Sequence, residues 1–301
     1  MYVPDFEYYA PDSVKAVSEM LAERDGTVIL SGGTDILTKM KNGLPVNGFP
    51  VPAALISLKN LSGLKKIEYV PGRGIVIGGR STHNDIVFSP VLHERYNSVS
   101  CAARSMAANQ VRHAGTIAGN IVTAVPSADL PPILMVLGAV VTLESAKGGR
   151  TLPLEEVFVG PGKTVLARDE ILTEVVIPDQ AMTGSAYFKY ALRKSGALAT
   201  VGVAVAVQMK GNIIEDIRVA FGAVAPVPMR APKVEAFLKG KEATEENLAA
   251  AAAIARDECR PISDQRASEE YRREMVGVFT KRAVKKAIAY GHDGEESEKN
   301  A

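Results

Sequence analysis

Two glycine-bearing segments hold most of the chemistry open to this chain. The first, Ser31-Gly32-Gly33-Thr34-Asp35, follows the run Thr27-Val28-Ile29-Leu30 and precedes Ile36-Leu37-Thr38-Lys39-Met40-Lys41. A strand ending in two glycines before a helix allows close backbone approach and turns free N–H groups outward, which suits phosphate oxygens. It meets neither the GxGxxG nor the GxxxxGK(S/T) pattern, so a plain strand-to-helix turn competes with phosphate binding. The second segment, Gly115-Thr116-Ile117-Ala118-Gly119-Asn120, repeats the device with a hydroxyl and an amide beside it. Two such turns could clamp the two phosphates of a dinucleotide-type cofactor. Asp129, ahead of Leu130-Pro131-Pro132, could then accept from a ribose hydroxyl. Asp129 before two prolines also reads as a helix N-cap, and the two roles can coexist.

Other chemistries find little support. His83, His93, His113 and His292 show no HExxH spacing and no partner pattern for a metal. His83, within Ser81-Thr82-His83-Asn84-Asp85, reads as part of a helix cap, and His113 lies near the second glycine turn. There is no GxSxG elbow and no nucleophile–base pair to argue from spacing. Cys101 and Cys259 cannot supply the four thiolates of an iron–sulfur cluster or structural zinc site. Two cysteines in 301 residues fit a reducing compartment. Arg193-Lys194 and Arg272-Arg273 read as solvated charges. Lys189, flanked by Phe188 and Tyr190 on a predicted strand, points opposite to those rings and could reach across a domain cleft.

The elements that must position these residues follow from periodicity. Val14, Val17, Met20 and Leu21 form one helical face behind Asp12 and Ser13. Thr27 to Leu30 reads as a strand, and Ile36 to Lys41 as a short helix with Thr34 or Asp35 near its N-cap. Strands are predicted over Ala54–Leu58, Leu64–Val70 and Gly74–Gly79, with Pro71-Gly72 turning between the last two. Helix is expected from about Ser89 to Gln110, and strand from Ala139 to Glu144. From Gly184 the texture changes to three strands, Tyr187–Leu192, Val201–Met209 and Ile213–Val224. In the second of these, Val alternates with Gly and Ala, so one face is bulky and the other lies close to a neighbour. Helices are predicted over Thr244–Cys259 and Ser268–Tyr290, the latter with Tyr271, Met275, Val278 and Phe279 on one stripe and a stop at Gly291.

Composition narrows the class. A formal net charge of +1 argues against nucleic-acid binding through bulk positive charge and against polybasic membrane binding. With 47% hydrophobic and 23% charged residues the chain can bury a sizeable core. The longest apolar run, Ile133 to Leu143, is too short to span a bilayer, and the N-terminus lacks the basic start and apolar stretch of a signal peptide. A soluble cytoplasmic protein is expected.

Together these residues resemble a known family. Ile29-Leu-Ser-Gly-Gly-Thr-Asp-Ile36, Thr116-Ile-Ala-Gly-Asn120 and Val125-Pro-Ser-Ala-Asp129 are similar to segments of the FAD subunit of the molybdenum hydroxylases. That family includes xanthine dehydrogenase, the medium subunit of carbon monoxide dehydrogenase and 4-hydroxybenzoyl-CoA reductase. The likeness runs on through Arg80-Ser-Thr-His83, Asp169-Glu-Ile-Leu172, Ile177-Pro178, Phe188-Lys189, Phe221-Gly-Ala-Val-Ala-Pro226 with Arg230, and Tyr271-Arg-Arg273. The order and spacing of these pieces carry the resemblance.

The resemblance implies an α+β chain. A two-lobed FAD-binding α/β domain would occupy residues 1–178, with lobes of about 1–55 and 56–178. A C-terminal domain of antiparallel sheet plus helices would occupy 179–292, leaving a polar tail at 293–301. It also implies that Ile29, Leu30, Ser31, Gly32, Gly33, Thr34, Asp35 and Ile36 line the pyrophosphate and ribityl chain of FAD. Thr116, Ile117, Ala118, Gly119 and Asn120 would form the second phosphate-side loop. Asp129 would hold a polar group of the cofactor, Leu172 would back it, and Lys189 would close the site from the second domain. Met106 stands where xanthine dehydrogenase has a Phe next to the flavin.

This sequence departs from the family pattern at three points. Ala118 replaces the first of two usual glycines, Ala197 stands where an aspartate is usual, and the cluster-bearing cysteine insertion of 4-hydroxybenzoyl-CoA reductase is absent. The implied partners are a large molybdenum–pterin subunit and a small iron–sulfur subunit, with NAD, a quinone or oxygen as acceptor. A stand-alone FAD oxidoreductase using NAD(P)H and a flavin-free scaffold subunit are the alternatives.

Overall fold

The structure is a computed structural model that describes residues 3–290, so the predicted stop at Gly291, His292 and the polar tail lie outside the described residues. The first layer is a small parallel sheet. Strand β1 (Glu7–Tyr9) leads to helix α1 (Val14–Glu23), which Ser13 caps by accepting from Ala16 N at 3.2 Å. Val17 and Leu21 of α1 are buried. Strand β2 (Thr27–Leu30) runs through the first glycine turn into α2 (Ile36–Lys41), and β3 (Ala54–Ser57) lies between β1 and β2. The whole of β3 thus belongs to this sheet, although the expected division between lobes, near residue 55, falls within it. Asp35 takes the N-cap position of α2 without a side-chain cap bond and pairs instead with Lys39 at 2.7 Å.

The second unit is a five-stranded antiparallel sheet with helices against it. Strands β4 (Ile67–Val70) and β5 (Gly74–Gly78) precede α3 (His83–Val87), α4 (Pro90–Arg104), α5 (Asn109–Ala114), α6 (Ile117–Val122) and α7 (Leu130–Val136). Strands β6 (Val140–Ser145), β7 (Gly148–Pro153), the small pair β8 (Phe158–Gly160) and β9 (Lys163–Thr164), and β10 (Ile171–Ile177) follow. The sheet order is β4-β5-β10-β6-β7.

Several expectations shift here. Residues 62–64 form a 3-10 turn, so the strand predicted from Leu64 begins at Ile67. The helix predicted to Gln110 breaks after Arg104 and restarts at Asn109, because Ala107 takes φ +41°. Most of the second glycine turn is helix: Thr116 caps α6 by accepting from Gly119 N at 3.2 Å. The α3 cap belongs to Thr82 and not to His83. Thr82 Oγ1 accepts from Asp85 N at 3.1 Å while Asp85 Oδ2 accepts from Thr82 N at 2.8 Å.

The third unit is the antiparallel sheet β11 (Gly184–Tyr190), β12 (Val201–Lys210), β13 (Ile213–Gly222) and β14 (Met229–Arg230), with α8 (Pro232–Leu238), α9 (Glu245–Glu258) and α10 (Glu269–Tyr290). The predicted two-faced strand is present. Val203, Val205 and Val207 share a core with Ala251, Ala255, Phe279 and Ala283, while Ala204 and Ala206 enter the core of the second unit with Leu130 and Leu134. The approach on the small face is close. A Cβ at Gly222 would lie 2.9 Å from Pro132 Cγ.

The buried stripe of α10 differs from the predicted one. Val276, Phe279, Thr280, Ala283, Val284 and Ala287 are buried, and Tyr271 and Val278 are exposed, because the helix packs on both β12 and α9. Arg272, expected in solvent, is only 2% exposed. Its Nη1 donates to Thr200 O at 3.3 Å and Ala223 O at 2.8 Å, and its Nη2 to Asp264 Oδ1 at 2.6 Å. Arg273 also turns inward, to Arg256 O and Cys259 O at the end of α9. The pair Arg193-Lys194 is exposed as expected.

Candidate functional site

The fold brings the two glycine segments side by side. Ser31 Oγ lies 3.0 Å from Thr116 Oγ1, across 85 positions of sequence. A Cβ at Gly32 would fall 2.0 Å from Ala114 O and 2.9 Å from Gly115 Cα, so only glycine permits this approach. Gly33 has φ +73°, the region glycine adopts without penalty, and Leu30 and Leu37 pack around it. Ile29 and Ile36 are partly buried on either side of the turn. The first backbone bond of α2 runs from Leu37 N to Gly33 O at 3.1 Å. Among the described residues, the N–H groups of Gly33, Thr34 and Asp35 reach no protein acceptor, as the start of a helix requires.

The second segment works differently. Ile117 N donates to Ser81 O at 3.0 Å, Ala118 N to Gly79 O at 3.2 Å, and Gly119 N to Thr116 Oγ1. Its backbone donors are spent inside the protein, so it offers a ligand side chains, above all Thr116 and Asn120. Ile117 and Ala118 are buried facing the core, where Ala118 meets Gly79 and Leu172 lies behind. The pair of loops is therefore asymmetric: one presents amides, the other hydroxyl and carboxamide groups.

Asp129 starts α7 in helical conformation and makes no side-chain cap bond. Tyr187 Oη donates to its Oδ1 at 2.9 Å and Lys189 Nζ to its Oδ2 at 2.9 Å. Lys189 thus crosses from the third unit to the second, as its strand position suggested, and also donates to Ser105 O at 3.0 Å. Side-chain exposure is 8% for Lys189 and 5% for Asp129. Burial pushes the Asp129 carboxyl above the usual carboxylate range, against the downward pull of Lys189 and Tyr187. Burial, and then the neighbouring Asp129, holds the Tyr187 phenol well above its ordinary value.

Met106 is buried, with its Sδ 3.9 Å from Asn120 Nδ2. Asn120 Oδ1 is buried with no partner, an open acceptor beside the loops. His83 lies under Gly115, and burial, helped by Arg112, lowers its pKa to about 4, leaving it neutral at pH 7. His113 bonds the Asn84 side chain and joins neither loop.

Sequence reading missed Tyr187, Arg112 and Ser105. Tyr187 had a signal: two positions before Lys189, it shares that residue's strand face. Arg112 and the carbonyl of Ser105 had none, because their role depends on tertiary contact alone.

The free amides of the first turn suit the phosphates, and the unpartnered acceptor of Asn120 suits an N–H or O–H group, of a dinucleotide such as FAD. Among the described residues no group of three His, Cys, Asp or Glu side chains could hold a metal, and no helix is long and apolar enough to cross a membrane.

Comparison with known proteins agrees with this geometry. Residues 4–180 match the family described as FAD binding domain in molybdopterin dehydrogenase, and residues 186–287 match the CO dehydrogenase flavoprotein C-terminal domain. The chain is 35% identical to the carbon monoxide dehydrogenase medium chain of Hydrogenophaga pseudoflava, over 96% of this chain and 99% of that one. It is 32% identical to the glyceraldehyde dehydrogenase medium chain of Sulfolobus acidocaldarius, over 95% and 99% of the two chains. A solved structure of carbon monoxide dehydrogenase from Hydrogenophaga pseudoflava, lacking the Mo-pyranopterin moiety of its cofactor, superposes with a TM-score of 0.91 at 35% identity. That superposition covers 96% of this chain and 99% of the other. With its amide-bearing glycine turn, its closely apposed second loop and these matches along nearly its whole length, the chain belongs to the FAD-binding subunit family of the molybdenum hydroxylases.

Proposed function

We propose that this chain is the electron-transferring medium subunit of a multi-subunit molybdenum hydroxylase. Substrate would be oxidised at a molybdenum–pterin centre in a large partner subunit. Electrons would pass through the iron–sulfur clusters of a small partner to this chain, and on to an external acceptor such as NAD. The observation that supports this reading most is the apposition of the two loops at Ser31 and Thr116, beside a side-chain set without a nucleophile or acid–base pair. Bound FAD supplies the redox chemistry, as cofactors do where the protein contributes binding and orientation.

The residues divide that labour. The amides of Gly33, Thr34 and Asp35 bind the pyrophosphate, and Gly32 lets the second loop close on it. Thr116 and Asn120 supply side-chain hydrogen bonds. Ile117, Ala118 and Leu172, all buried, would keep water from the bound cofactor, and Asp129, held by Tyr187 and Lys189, would supply a fixed polar group to it. We place the domain boundary where the family likeness implied it, with 1–178 as the FAD-binding domain and 179–292 as the C-terminal domain, and the lobes, expected at about 1–55 and 56–178, meeting just after β3. The setting proposed is the cytoplasm.

The relatives' names differ in substrate, one acting on carbon monoxide and one on glyceraldehyde. Substrate choice is accordingly assigned to the large partner. The test is the visible absorption spectrum of the purified chain before and after FAD addition and gel filtration, then of the complex co-expressed with the two partner subunits. Retained flavin and its reduction by substrate in the complex are expected. A flavin-free complex with full activity would refute the proposal.

A further inference from the structure

The connection between α4 and α5 is unusual. Its three successive carbonyls each accept from a different part of the fold. Lys189 Nζ donates to Ser105 O at 3.0 Å, Arg112 Nη1 to Met106 O at 2.8 Å, and Gly196 N to Ala107 O at 3.0 Å. Two of these donors come from the C-terminal unit and one from α5. The segment they hold is not relaxed, for Ala107 sits at φ +41°, a left-handed conformation unfavourable for a residue with a Cβ. A tight connection of this kind persists only when its surroundings over-determine it. Its one buried side chain, Met106, ends against Asn120 of the second glycine segment, whose Oδ1 is buried without a partner.

We propose that Arg112 is a positioning residue for the flavin: with Lys189 and Gly196 it sets the Ser105–Ala107 backbone and so seats Met106 against Asn120. The inference rests on the FAD reading above and adds a role for a residue that touches neither glycine turn. Among the three donors Arg112 is the informative one. Lys189 has a second bond, to Asp129, and Gly196 acts through its backbone. The Arg112 guanidinium donates through Nη1 to Met106 O, while its Nε is buried without a partner.

The test uses the full-length chain and three proteins: unsubstituted, Arg112→Met, which keeps the apolar stem, and Arg112→Lys, which restores one donor. FAD affinity is read from flavin fluorescence, the bound flavin's visible circular dichroism at saturation, and integrity from the unfolding temperature of the flavin-free proteins. Arg112→Met is expected to bind FAD about tenfold more weakly, equivalent to about 1.4 kcal/mol. Its flavin dichroism should change, and Arg112→Lys should recover most of both. A purely structural role would lower the unfolding temperature without altering the dichroism at saturation, which would overturn the inference. Unchanged affinity and dichroism in Arg112→Met, with the unsubstituted chain binding FAD, would overturn it alone. Absence of FAD from both the unsubstituted chain and its co-expressed complex would overturn this inference and the reading beneath it.

Discussion

Replacing Lys189 with Met should expose how far the site depends on one buried ion pair. The ammonium bonds Asp129 at 2.9 Å with both side chains almost wholly out of water, and the Ser105 carbonyl takes a further donor from it. Methionine fills much of the same volume but leaves the Asp129 carboxylate with Tyr187 as its remaining side-chain donor. Breaking a buried pair on one side costs about 3–5 kcal/mol, because an uncompensated charge stays behind. At this chain length about 2 °C of unfolding temperature is lost per kcal/mol, so a fall of roughly 6–10 °C is expected at pH 7.5.

The pH dependence separates this cause from lost packing. Burial already raises the Asp129 carboxyl, and removing Lys189 takes away the largest opposing influence, so it rises further. A carboxyl whose folded pKa exceeds its unfolded value, about 3.9, binds its proton more tightly in the native state. Native stability then falls as pH rises through the interval between the two values. The deficit of Lys189→Met relative to the unsubstituted chain should thus be small near pH 4.5 and grow towards pH 7.5. Denaturant or thermal unfolding of both proteins across that range is the assay. A deficit that is the same at every pH, or below 1 kcal/mol at pH 7.5, would refute the reasoning.

Gly32→Ala should force the two glycine segments apart, since its Cβ would stand 2.0 Å from Ala114 O. FAD titration is expected to show a loss of a hundredfold or more, equivalent to about 2.8 kcal/mol. Arg272→Met takes the donor from the Thr200 and Ala223 carbonyls, and about 2–4 kcal/mol of stability should be lost in urea unfolding. Burial lifts the Cys259 thiol to about 11 while Cys101 lies at the surface. A thiol reagent at pH 8 should therefore modify one cysteine in the native chain and the second only after unfolding, as mass spectrometry of the products would show.

What could be read from the sequence depended on how local the cause was. Thr27 to Leu30 and Val201 to Lys210 declare themselves through β-branched residues and alternation, and Ser13 through its cap position, because those signals lie within a few residues of their effect. The first glycine segment was legible as a turn. That Gly32 must be glycine because Ala114 O presses on it was not, since the pressing atom lies far along the chain. Arg272 was misjudged for the same reason. A guanidinium is buried when backbone carbonyls are left facing it, and here Ala223, at φ +63°, turns one toward it. Val278 was placed inward by spacing alone, but α10 packs on β11, β12 and α9, so the buried arc rotated toward Val276 and Ala283. For the second glycine segment the residues were visible and the geometry was not, because Thr116 capping turns most of it into helix.

The two-sided β12 strand has a consequence for how the chain folds. With Val on one side and Gly or Ala on the other, a pairing error of one residue would drive valines into the wall at α7, where Pro132 leaves no room at Gly222. Mispaired intermediates of this sheet are therefore penalised twice, by a hole under α9 and α10 and by a clash on the opposite side. The same strand belongs to two cores built from residues distant in sequence, so neither core can finish before β12 is seated. Refolding should accordingly be slow and governed by one late, non-local docking event, with both halves of the chain gaining protection from hydrogen exchange together.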